Sequence, residues 1–142
     1  MKTEVIYLSK TGHSRKIARA IAAEFHNPPG DINGNPRLSD VDLLFIVGGI
    51  YGGVSSPKML EYAGKLKNTY AKRVALVTSC ASAKMKQDQV RTILEQNGIV
   101  VMPDEFVCRG SFLFFHLGHP SKKEVADAVA FAKRMVQTVQ DQ

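Results

Sequence analysis

Tryptophan is absent from this chain, cysteine occurs only twice, and 13 acidic residues face 19 lysines and arginines. Cys80 and Cys108 form no Cys-x-x-Cys pair and no metal-ligand spacing, which argues against a disulfide scaffold or a zinc site and for two free thiols. Long apolar runs are missing as well. The longest, LLFIVGGIYGGV at 43–54, holds twelve residues and four glycines, too short and too broken to span a bilayer. Glu4 and Lys10 interrupt any secretory signal at the amino end, so a cytoplasmic address is expected. Neither Gly-x4-Gly-Lys nor Gly-x-Gly-x-x-Gly occurs, which removes the usual triphosphate and dinucleotide readings.

What is present is an ordinary globular composition, 44% hydrophobic and 23% charged, in 142 residues, the size of one domain spanning 1–142. A chain of this length buries about two-thirds of the surface its unfolded form exposes, enough for a single core. The formal charge of +6 favours an anionic ligand or surface, a phosphorylated cofactor or nucleic acid. No clustered-arginine recognition helix, RNA-binding aromatic signature or zinc finger accompanies that charge, so nucleic acid is not the expected partner. Membrane insertion is not expected either.

Apolar runs rich in β-branched residues recur at VIYL (5–8), LLFIV (43–47) and VALVT (74–78), with weaker IVVM (99–102) and EFVC (105–108). Lacking polar alternation, they suit strands buried on both faces. Helical spacing lies between them. Ile17, Ile21 and Phe25, joined by Ala18 and Ala22, predict an apolar stripe on a helix from about Ser14 to Phe25. Ser56-Pro57 reads as N-cap and first helical residue, with Leu60, Ala63 and Leu66 inward. Val90, Ile93 and Leu94 predict a third helix stopped by Asn97-Gly98, and Ser121 with Glu124 opens a last helix as a capping box. This alternation predicts one doubly wound, five-stranded parallel sheet with helices on both faces. Three prolines and two glycines in 26–42 leave room for a short edge strand near Asp31–Asn33 and a second helix that is short or absent.

Ligands of open parallel sheets bind beyond the carboxyl ends of the strands, where loops enter helix N-termini. Ser9, Lys10, Thr11, Gly12, His13 and Ser14 occupy that position after the first strand. A helix start offers unpaired N–H donors and partial positive charge, three hydroxyls add donors, and Gly12 admits close backbone approach, so the segment suits a phosphate. His13 assists phosphate binding or protonation of the ligand, or else is an exposed histidine without a chemical task.

The pattern Ser9-x-Thr11-Gly12-x-Ser14 resembles the phosphate loop of flavodoxins, and the likeness extends to GGIYGG (48–53), TSCASA (78–83), EFVCRGSF (105–112) and the carboxyl-terminal helix. The chain is similar to short-chain flavodoxin-like proteins over nearly its whole length. That resemblance implies a sheet in the order 2-1-3-4-5, noncovalent FMN and electron transfer through the flavin. It also implies a second flavin loop holding Gly49, Ile50, Tyr51, Gly52 and Gly53, with Tyr51 as the aromatic that stacks, and a third holding Ser79, Cys80, Ala81 and Ser82 near the pyrimidine side. Cys80 is expected as a small residue that lets a ligand approach, and Cys108 as core filler.

This chain departs from the family in two ways. No aromatic stands in 79–89, and Lys10, Arg15, Lys16, Lys84, Lys86 and Arg109 surround the loops with positive charge, which favours the anionic reduced flavin and a raised reduction potential. SFLFFHLG (111–118) is expected to close the core, with a homodimer contact as the other reading. A receiver domain shares the strand order but needs acidic residues where Ser9 and Gly48-Gly49 stand, and a Cys-x5-Arg phosphatase fails because Lys86 replaces the arginine. The expected function is therefore an FMN-binding redox protein serving a redox partner protein or a small acceptor. An FMN-dependent reductase of quinone-like acceptors and a flavin-free phosphate-ligand module are the alternatives. No metal is expected.

Overall fold

The computed structural model describes residues 1–10, 12–51, 54–80, 86–108 and 121–142. Its elements are β1 (Thr3–Tyr7), α1 (His13–Glu24), β2 (Gly30–Asp31), a 3-10 turn (Ile32–Gly34), β3 (Val41–Tyr51), β4 (Val54–Ser55), α2 (Pro57–Lys65), β5 (Ala71–Cys80), α3 (Asp88–Gln96), β6 (Val100–Val101), β7 (Phe106–Cys108) and α4 (Lys122–Gln140). The sheet runs β2-β1-β3-β5-β6, with β7 also on β5 and β4 folded back on β3. All pairings are parallel except β3 with β4. The expected order of five positions is kept; among the described residues the strands number seven because a hairpin is added and the fifth strand is split.

The split has a local cause. Arg73 and Val74 of β5 pair with Val100 and Val101, and Val77 to Ser79 pair with Phe106 to Cys108. Between the two pieces stands Pro103, which has no N–H to give a ladder.

Alternate residues of each central strand feed opposite cores. Val5, Tyr7, Leu43, Phe45 and Val47 pack with Ile17, Ile21, Phe131 and Met135 under α1 and α4. Ile6, Leu44 and Ile46 pack with Met59, Tyr62, Val90 and Leu94 under α2 and α3. Period-2 alternation on a sheet covered on both faces explains why these runs carry no polar residues.

The helices start largely where expected. Ser56 Oγ accepts from the Met59 N–H at 3.2 Å, and Ser121 with Glu124 forms the capping box. α1 starts one residue early, at His13, with Gly12 as N-cap. The inward face of α2 is Met59, Tyr62, Ala63 and Leu66, while Leu60, expected inward, is only partly buried. No α-helix separates β2 from β3. That stretch ends in an irregular segment tied down by the Tyr62 O–H, which donates to the Pro36 carbonyl at 2.8 Å.

Candidate functional site

Register brings three chain segments to one edge. Tyr7 pairs with Val47, Val47 with Val77, Gly49 with Ser79 and Ile50 with Cys80. The loop after β1, the end of β3 and the end of β5 therefore leave the sheet side by side at its carboxyl ends, the expected ligand position.

In the first segment, Gly12 has φ 92, a left-handed conformation that any side chain would strain. The Gly12 N–H donates to Ser9 Oγ at 2.8 Å, which folds the loop back on itself. The first bond of α1 runs from the Lys16 N–H to the Gly12 carbonyl at 3.0 Å, so the amides of His13, Ser14 and Arg15 precede the helix ladder. Ser14 is 1% exposed, and its Oγ has no hydrogen-bond partner among the described residues. Lys10 is exposed and His13 half-buried. Lys10 also lines a small cleft with Leu8, Gly49, Ser56 and Met59, between this loop and the start of α2. Thr11 lies outside the described residues.

The second segment is strand where a loop was expected. Gly49, Ile50 and Tyr51 continue β3, and the chain reverses so that Ile50 pairs with Ser55 and Tyr51 with Val54. Two glycines separate the paired residues in the sequence, the composition a two-residue hairpin favours. Gly52, Gly53 and the Tyr51 side chain lie outside the described residues. Gly48, just before, is needed for close packing: a Cβ there would stand 2.7 Å from Met59 Cε and 3.3 Å from Gln87 Oε1.

In the third segment, Ser79 is buried at the end of β5, and the Cys80 backbone closes the strand. The Cys80 side chain, Ala81, Ser82 and Lys84 fall outside the described residues, as do Arg109 and the 111–118 segment. Below this segment the structure adds polar residues that the sequence did not single out: Thr78, Gln87, Arg91 and Glu105, joined by hydrogen bonds. One signal was available. Gln87, Val90 and Leu94 share a helical spacing, which places a polar residue on an apolar stripe.

The exposed cations Arg15 and Lys16 stand in the first turn of α1, which holds no acidic residue, whereas the exposed Lys86 lines a separate cleft with Pro103, Glu105, Phe131 and Arg134. A larger cavity, about 410 Å³, lies apart from the three segments, between Pro36 to Leu38 and the α2 residues Tyr62 and Lys65. None of the segment residues lines it. No helix among the described residues is long and apolar enough to cross a membrane.

A family model described as a flavodoxin domain matches residues 4–114. No curated protein matches the chain. Among solved structures it is similar to oxidised Flavodoxin 2 from Bacillus cereus, with 13% identity, a TM-score of 0.70, and coverage of 97% of this chain and 99% of the other. A short-chain flavodoxin associated with a non-canonical PDU bacterial microcompartment aligns at 12% identity and a TM-score of 0.65, covering 98% and 99%. A flavoprotein in complex with FMN from Lactobacillus acidophilus aligns at 18% identity and a TM-score of 0.53, covering 71% and 89%.

Proposed function

Because the chain belongs to the flavodoxin domain family, we propose that it holds FMN noncovalently at the carboxyl edge of its sheet and passes electrons through it to a redox partner protein or a small acceptor. One observation carries the reading to this chain's own residues. Ser14 Oγ is buried, without a partner among the described residues, at the first turn of a helix, a costly arrangement that an anion's oxygen at that position would relieve.

The residues then divide by task. Ser9, Thr11 and Ser14 hydroxyls, with the amides of residues 13–15, hold the phosphate, and Lys10 and His13 stand beside it. Ser9 Oγ already accepts from Gly12, yet its own hydrogen remains to be donated. Gly49, Ile50, Gly52 and Gly53 bring peptide groups to the flavin edge, and Tyr51 stacks on its ring. Ser79, Cys80, Ala81 and Ser82 meet the pyrimidine side. Bound flavin supplies the redox chemistry; the protein supplies orientation and electrostatics. The same residues serve a small carrier or an FMN-dependent oxidoreductase working in the cytoplasm.

The test is a titration of purified protein with FMN, followed by quenching of flavin fluorescence. The protein should turn yellow and bind stoichiometrically, and Thr11→Ala combined with Ser14→Ala should weaken binding, since each hydrogen bond to a charged group contributes about 1.5–3 kcal/mol. A protein that ignores FMN but binds inorganic phosphate would favour the flavin-free module. Undiminished affinity in the double variant would move the phosphate elsewhere.

A further inference from the structure

Four polar side chains below the end of β5 form a connected set. The Glu105 side chain is 1% exposed. Its Oε2 accepts from the Thr78 hydroxyl at 3.0 Å and from the Gln87 N–H at 2.8 Å, and its Oε1 from Arg91 Nη2 at 3.3 Å. Gln87 Nε2 donates to the Val77 carbonyl at 3.0 Å and to Thr78 Oγ1 at 3.3 Å. Arg91 Nη1 donates to the Met102 carbonyl at 3.1 Å. The members come from the end of β5, the start of α3 and the break between β6 and β7.

Stability alone is a poor reason for such a set, because apolar residues of the same volume commonly serve a core as well as a buried ion pair does. Geometry gives a better one. Thr78 directly precedes Ser79, where the third segment departs, and Gln87 stands where the chain returns to α3. A single carboxylate oxygen thus ties both ends of that segment together. Gln87 Oε1 is buried, has no partner among the described residues, and lies beside Gly48 at the entry to the second segment.

Resting on the flavin reading above, we infer that Glu105 is a positioning residue, which through Thr78 and Gln87 holds the two ends of the third segment, Ser79 and the start of α3, in the relative position that FMN binding needs. The Glu105 charge is matched by Arg91, so the clamp acts by geometry more than by field.

Thr78→Val, Thr78→Ser and Glu105→Gln test this, with FMN as the probe. Three readouts are needed: FMN affinity, hydrogen exchange in the flavin-free protein, and thermal midpoint. Thr78→Val and Glu105→Gln should each weaken FMN several-fold, up to the roughly tenfold that the loss of one hydrogen bond to a charged group can pass on to the site. Exchange should quicken at the amides of Ser79, Cys80, Lys86 and Gln87 while Val5 to Tyr7 and Ile17 to Ala22 keep wild-type protection. Thr78→Ser, which keeps the hydroxyl, should restore both. If Glu105→Gln does not fold, the Thr78 pair decides. Wild-type affinity in Thr78→Val overturns the clamp, as does protection lost across the whole sheet with no rescue by Thr78→Ser. Wild-type protein that leaves FMN fluorescence unquenched refutes instead the flavin assignment, and with it the purpose given to the clamp.

Discussion

The Ser9 hydroxyl accepts the Gly12 N–H at 2.8 Å, so the loop after β1 is folded by its own first and fourth residues. A loop already closed loses less entropy when a ligand orders it. Ser9→Ala should therefore act twice. Flavin-free stability should fall by about 0.5–1.5 kcal/mol, the net worth of a typical hydrogen bond, in a denaturant titration. FMN affinity should fall by more than that in the matching fluorescence titration, because a donor and the preformed turn are lost together.

Ser14 should behave in the opposite way. Its hydroxyl is buried and unpartnered among the described residues, so removing it relieves a desolvation cost. Ser14→Ala should leave flavin-free stability unchanged or raise it by up to about 1 kcal/mol, and should weaken FMN by about tenfold or more. Such a split between stability and affinity marks a group kept for binding. A drop in stability would show that Ser14 serves the fold.

The central strands were legible because β1, β3 and β5 are buried on both faces, which leaves near-continuous apolar runs that few other structures explain. The capping box at Ser121 and Glu124 was legible because its chemistry is local. On α2 the expected Ala63 and Leu66 do face inward, but Met59 with Tyr62 stands where Leu60 was expected, because Met59 fills the space above Gly48, a partner that lies on another element. The hairpin of β4 leaves no mark in the sequence because Val54 and Ser55 are only two residues, behind a glycine run that reads as loop. In the site, the phosphate segment was legible from its hydroxyls and glycine, but Glu105 was not. Its partners Thr78 and Gln87 are 27 and 18 residues away, and only the strand break at Pro103 hints that the chain there turns aside.

Arg15 is exposed, and its Nη2 lies 3.7 Å from where a Cβ on Gly12 would stand. A cation beside the phosphate segment favours both the dianionic ligand and the anionic reduced flavin. Arg15→Glu should weaken FMN several-fold, on the order of 1 kcal/mol for an exposed charge, and lower the midpoint potential of the bound flavin in a redox titration. Both effects should shrink as salt is added. Unchanged potential at low salt would remove this cation from the flavin's field.

Tyr62 links α2 to the segment that replaces a helix between β2 and β3. Burial pushes its phenol up from an ordinary 10.0 to about 12. The folded state holds the proton more tightly than the unfolded state, so this contribution is complete below about pH 10 and is lost as pH rises towards 12. Wild-type stability should fall across that window in pH-dependent denaturation. Tyr62→Phe should cost about 0.5–1.5 kcal/mol at neutral pH, for the bond to the Pro36 carbonyl, and should show a shallower alkaline fall. Parallel curves for the two proteins would mean that another group controls alkaline unfolding.

Gly48 joins the fold to both inner segments of the site. A Cβ at this position would stand 2.7 Å from Met59 Cε and 3.3 Å from Gln87 Oε1. The methionine end can bend away, at the expense of a packed core position, whereas Gln87 is held by Thr78, Val77 and Glu105 and has little room to retreat. Gly48→Ala should therefore cost about 1–3 kcal/mol through overpacking. Met59→Val alone leaves a cavity and also destabilises. Combined, the two changes should cost less than their sum, because the shorter side chain vacates the space that the new methyl enters. Strict additivity would place the strain on Gln87, and Gly48→Ala should then also speed hydrogen exchange at Lys86 and Gln87, a result the Met59 substitution could not reverse.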